Sequence, residues 1–126
     1  MRKFFILASV LLFVCNGCGG DSRESMAKEG MSTMKEMVTV LKDVKDEASA
    51  KSAKPKLKEL MDKLNDLNAR QSKLPAPTEA EMKSIDEKYG KEGEEVARQF
   101  QSEMMRVMFT PGVAQVFQDI EMKPMR

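Results

Sequence analysis

The sequence predicts an all-α fold, an antiparallel helical hairpin extended by a third helix and a short carboxy-terminal helix. Three observations carry this reading. Charged residues make up 33% of the chain and aromatics 6%, with one Tyr and no Trp, a composition closer to helical chains than to sandwiches or barrels. Apolar residues recur at steps of three and four along separate stretches, the period of a helix with one buried face. Ser, Thr and Pro stand between those stretches, where helices start and stop. At 126 residues the chain has room for one domain with a modest core and not for two.

Residues 24–47 form the first predicted helix, with Ala27, Met31, Met34, Val38, Leu41, Val44 and Ala48 on its stripe. Ser49 or Ser52 can cap a second helix, and Pro55 is tolerable in its first turn if Ser52 is the cap. Its apolar face is Leu57, Leu60, Met61, Leu64, Leu67 and Leu74. Leu74-Pro75-Ala76-Pro77 ends it, because neither proline can continue a helix. Thr78-Glu79-Ala80-Glu81 is a capping box in which hydroxyl and carboxylate each satisfy a free backbone N–H. A third helix follows, with Met82, Ile85, Tyr89, Val96, Phe100, Met104 and Val107 on its face and a kink or short break expected at Gly90 and Gly93. Thr110-Pro111 repeats the cap-then-proline signature and opens a tail helix bearing Val113, Val116, Phe117 and Ile120. Short connections favour antiparallel neighbours. A pure coiled coil is disfavoured because the apolar heptads last only about three repeats and break at caps.

The third helix outruns the second in this reading. Residues 79–109 would measure about 46 Å and residues 53–73 about 32 Å. The excess holds Met104, Met105, Val107, Met108 and Phe109, and burying each large side chain stabilises by roughly 1.5–3 kcal/mol. The tail is therefore expected to fold back over this cluster, with a protein partner or a second copy as the alternative cover.

At the amino terminus, Arg2 and Lys3 precede an apolar run from Phe4 to Val14, followed by Cys15-Asn16-Gly17-Cys18. A positive n-region and an h-region of this length make a secretory signal peptide. A span would need about 20 apolar residues. Gly17 before Cys18 fits a lipobox, in which the Cys is acylated before cleavage, and Gly19-Gly20-Asp21-Ser22 would follow as a flexible tether. Cys15 and Asn16 are unusual neighbours for a lipobox. Ordinary cleavage after Gly17 or Gly20, giving a soluble secreted or periplasmic form, is the alternative. The Cys15/Cys18 pair has neither the strand–helix context of a redox site nor a following His for haem. The domain plan is residues 1–17 as signal peptide, 18–23 as lipidated Cys and tether, 24–122 as helical domain, and 123–126 as tail.

Lys plus Arg number 21 and Asp plus Glu 20, mixed along the chain. Removing Arg2 and Lys3 with the leader leaves 19 basic against 20 acidic side chains, a formal −1, which argues against a nucleic-acid footprint. The absence of His removes the commonest general base and every imidazole triad. Gly90 and Gly93 lack the Lys-Ser/Thr and the preceding strand of a P-loop. Glu94-Glu95, Glu79 with Glu81, and Asp86-Glu87 read as solvated helix faces that balance lysines, as do Lys54, Lys56 and Lys58. No catalytic residues and no cofactor are assigned.

Methionine is the compositional anomaly, with 12 residues, 11 of them after the leader. Met31, Met34 and Met37 form MxxMxxM, Met104, Met105 and Met108 cluster again, and Met122 with Met125 makes a third group. Met fills irregular core gaps or supplies an adaptable contact surface, and Met31 and Met34 already belong to the apolar stripe. Thioethers also suit Cu(I), so a Cu(I) site at Met31, Met34 and Met37 is the alternative.

With Gly17-Cys18-Gly19-Gly20 and the helical segments after it, the chain resembles small bacterial lipoproteins that carry one helical domain. DEASAKSAKPKLKEL from Asp46 to Leu60 and EMMRVMFTPG from Glu103 to Gly112 look like landmarks of such a family. The resemblance implies acylation at Cys18, a periplasm-facing membrane location in the cell envelope and a helical fold. It carries over no catalytic residue. The expected function is a non-enzymatic, membrane-tethered interaction or structural module, with a protein partner in the envelope and the Cu(I) protein as the alternative.

Overall fold

The computed structural model describes residues 22–120. Residues 1–21, on which the signal-peptide, lipidation and tether expectations fall, and residues 121–126 lie outside the described residues. The described chain is all-α, with three long helices and a short fourth: α1 (Arg23–Lys42), α2 (Glu47–Ser72), α3 (Glu79–Met108) and α4 (Val113–Val116).

Each start has a local chemical cause. Ser22 is extended, and its hydroxyl accepts from the Ser25 N–H at 3.1 Å, so α1 begins before the expected residue 24. Its end also comes earlier than expected. The helix stops at Lys42 rather than near residue 47, and Val44 and Ala48 fall off it. Asp46 ends the connection by capping α2: its carboxylate accepts from the Ser49 N–H at 2.8 Å, while the Ser49 hydroxyl accepts from the Asp46 N–H at 3.0 Å. The cap is thus Asp46, and Ser49 is its partner at the third helical position. Neither Ser49 nor Ser52 is the cap, as the sequence reading had it. Pro55 consequently lies inside α2, where its missing N–H leaves the Lys51 carbonyl without a helical donor.

At the far end of α2, the Pro75 ring disfavours helical backbone at Leu74, and the chain turns through residues 73–78 to the next helix. The Thr78 box forms as the sequence predicts. Glu81 N–H donates to the hydroxyl at 3.2 Å, and Thr78 N–H donates to the Glu81 carboxylate at 2.9 Å. Helix α3 then runs unbroken through Gly90 and Gly93, against the break expected there. The tail helix is one turn only. Gly112, at φ +79°, stands in the left-handed region before it, and Thr110 donates its hydroxyl back to the Arg106 carbonyl at 2.9 Å instead of capping α4.

The order in space is α2–α1–α3, with α1 in the middle. Glu36 pairs with Lys56 and Glu29 with Arg70, so α1 and α2 run antiparallel. Glu24 pairs with Lys88, while the Arg106 guanidinium donates to the Leu41 and Val44 carbonyls at 2.7 and 2.8 Å, so α1 and α3 run parallel. Between helices α2 and α3, consecutive in sequence, no pair of Cα atoms lies within 8 Å. Helix α4 touches both α2 and α3 and closes the wedge between them at one end.

One buried cluster sits at that closed end, while Met26, Met37, Val38, Leu60, Leu67 and Val96 are buried along the rest of the bundle. Leu41, Val44, Ala50, Leu57, Val107 and Val113 are buried together, with Phe100, Met104, Val116, Phe117 and Ile120 packed around them. The tail therefore covers Val107 and Met104, as the apolar excess of the third helix required. Met105, Met108 and Phe109 are left 55%, 57% and 81% exposed, because Met105 and Met108 occupy a different face of α3 and Phe109 lies just past its end. The length mismatch is also smaller than expected, since the Asp46 cap lengthens α2 to 26 residues against 30 for α3.

Candidate interaction site

Away from α4 the wedge stays open. Its floor is α1, through Ala27, Gly30, Met31 and Met34. One wall is α2, through Met61, Leu64, Leu67 and Asn68, and the other is α3, through Met82, Ile85, Tyr89 and Phe100. The result is a trough of about 1380 Å³, larger than the roughly 300–1,000 Å³ of ordinary small-molecule pockets. Polar side chains, among them Arg23, Gln71, Lys83 and Asp86, also line it.

The trough follows from the sequence in a specific way. A helix packed on both flanks needs a wide apolar arc. In α1 the deeply buried positions are Met26, Thr33, Met37, Val38 and Leu41, whereas Ala27, Met31 and Met34 are only half-buried. The stripe predicted as core thus splits into residues under the flanking helices and residues facing the open wedge. Thr33 is tolerated in the buried arc because its hydroxyl donates to the Glu29 carbonyl at 2.8 Å.

Ion pairs tie each wall to the floor. Lys88 holds Glu24 at 2.7 Å, and Lys35 pairs with Glu92, joining α3 to α1. Arg70 holds Glu29 at 2.9 Å, joining α2 to α1. The carboxylate of Glu24, through its hydrogen bond and charge, raises the Lys88 ammonium above the usual lysine range. Such exposed pairs contribute little to stability in water, so they orient the walls more than they stabilise them.

Met31, Met34 and Met37 all line the trough, Met37 buried and the other two half-buried. Met31 reaches α3, since a Cβ on Gly93 would stand 3.2 Å from its terminal methyl. Met26, Met61 and Met82 join them. The sequence places Met61 and Met82 on apolar stripes and gives Met26 no such position. The usable signal was that Met recurs on three different helices where Leu would serve a closed core. The Met104 group splits instead between core and outer surface.

The acidic pairs stand in solvent. Glu81 is bound into its capping box, where the Thr78 N–H and hydroxyl lower its pKa. Glu95 accepts from Gln99 at 2.7 Å and from Arg98, and both depress its pKa, Gln99 the more strongly. Lys54 pairs with Asp119 at 3.0 Å and Lys56 with Glu59 at 3.2 Å. Among the described residues, no group of three or more His, Cys, Asp or Glu could hold a metal ion, and no helix is long and apolar enough to cross a membrane. In comparisons with known proteins, no family model, curated protein or solved structure matches the chain.

Proposed function

We propose that the chain is a non-enzymatic interaction module of the bacterial cell envelope, tethered to a membrane by acyl groups on Cys18, with the trough as its binding surface. The observation that carries this reading is the open wedge itself. A three-helix domain of this size could bury its apolar stripes by closing α2 on α3, and here it holds them apart. Methionine suits such a surface, because three rotatable bonds and a polarisable sulfur let it repack around occupants of different shape. The leader and Gly17-Cys18 support the tether, since a chain with the composition of residues 22–120 needs an added lipid to stay on a membrane.

The test is intact-mass measurement and fractionation of the native chain. The membrane fraction should hold a chain beginning at Cys18 with added acyl mass, and Cys18→Ser should release or mislocalise the protein. An unmodified amino terminus at Gly20 or Asp21 would leave a secreted domain and remove the tether.

Cu(I) binding is the second reading, favoured by the gathering of Met31, Met34 and Met37 along one trough. A Cu(I) titration abolished by changing all three to Leu would establish it; no uptake would leave the trough to apolar occupants alone.

A further inference from the structure

We propose that the trough receives an acyl chain carried on the protein's own Cys18, so that the anchor has two apolar sites, the bilayer and the domain. The proposal rests on the lipoprotein reading above and names the occupant of the site described there.

Reach is the first argument. Arg23 lines the trough at the end where the α2–α3 connection contributes Pro77, and Cys18 precedes the Ser22 cap by four residues, a span of at most about 14 Å when extended. Gly19 and Gly20 put no side chain in the way of a turn at that point. Length is the second. The floor from Arg23 to Met37 runs about 21 Å at 1.5 Å per residue, and an acyl chain spans one leaflet, about 15 Å, half of a ~30 Å hydrocarbon core. The trough can take one such chain lengthwise. Chemistry is the third. An alkyl chain has no polar group to satisfy and needs walls that mould to it, which Met31, Met34, Met61 and Met82 provide.

Tethering decides between this occupant and others. A group held on a short linker is presented at an effective concentration on the order of millimolar. A free partner of weaker affinity is displaced while the anchor is in the trough. Insertion of the chain into a bilayer then empties the trough, so membrane attachment and availability of the binding surface are one event.

The experiment uses the full chain purified from membranes and exchanged into detergent-free buffer, with its methionine methyls labelled with carbon-13. Intact mass first establishes whether acyl groups are present. Nuclear Overhauser cross-peaks from acyl methylenes should appear at the methyls of Met31, Met34, Met61 and Met82 and not at Met105 and Met108, which face solvent. Gly30→Leu serves as the filling variant, because nothing lies within 4 Å of a Cβ at Gly30 and the larger side chain enters open trough. It should abolish the cross-peaks, keep the helix content, and raise the fraction sedimenting with phosphatidylcholine vesicles. A chain without acyl groups would overturn the lipoprotein reading and this proposal together. An acylated chain with no trough cross-peaks would overturn this proposal alone. So would trough cross-peaks that vanish when non-covalent lipid is extracted, or that arise from a second copy of the chain in a mixed-label sample.

Discussion

Arg106 shows how much one side chain can decide. Its guanidinium donates to the Leu41 and Val44 carbonyls and to Glu103, supplying donors at the end of α1 that the helix itself lacks. It also fixes the distance between α1 and α3 at the closed end. Charge-assisted hydrogen bonds of this kind contribute about 1.5–3 kcal/mol, so Arg106→Ala should lower stability by about 2 kcal/mol in urea unfolding, while Arg98→Ala on the solvated face should change it little. Equal effects would show that Arg106 is only another surface charge. Asp46 and Glu81 make a second prediction at this scale. Backbone N–H bonds, from Ser49 to the first and from Thr78 to the second, lower both pKa values. Folding is then favoured above the ordinary carboxylate pKa, and that contribution disappears as pH falls through the depressed folded values. Thermal stability should fall between about pH 5 and pH 2, and Asp46→Asn should flatten part of the fall. A profile unchanged by the substitution would contradict the assignment.

The helices themselves were legible in the sequence wherever a cap had a strong signature. Thr78-x-x-Glu81 placed the start of α3 to the residue, and Leu74-Pro75 placed the end of α2, because each works through sterics or hydrogen bonds within one turn. The boundary between α1 and α2 was not legible. Val44 continues the apolar step of α1 and is fully buried, yet it sits in the connection, where tertiary packing and not helix periodicity buries it. The Asp46–Ser49 box hid behind two serines that were equally good caps on paper. Gly112 was missed because Thr110-Pro111 looked sufficient, although the turn needs the positive φ that glycine adopts without strain. Gly90 and Gly93 gave a false break: α3 stays helical through both, with Met31 of α1 packed against Gly93.

At the scale of the molecule, periodicity showed which faces are apolar but not which helices meet. Stripes on α2 and α3 predict a hairpin partner for each. Only the fold shows that α1 serves both and leaves the rest of the wedge open. The tail closes that wedge at one end. Truncation after Phe109 removes buried Val113 and the packing of Val116, Phe117 and Ile120, a loss on the order of 3 kcal/mol or more. The truncated chain should melt lower and self-associate on a sizing column. An unchanged melting temperature and a monomeric state would show the tail to be dispensable.

Everything proposed for the trough depends on α2 and α3 standing apart. Disulfides need Cα atoms within about 7 Å, and no pair between these helices lies within 8 Å. The direct test is therefore oxidation of paired cysteines across the wedge, Leu64→Cys with Ile85→Cys and Asn68→Cys with Asp86→Cys, with Cys15 and Cys18 both replaced. Both pairs should stay reduced under mild oxidant while the helical dichroism is intact. Rapid, complete crosslinking of either pair in the folded protein would mean that the walls meet and that there is no trough to fill.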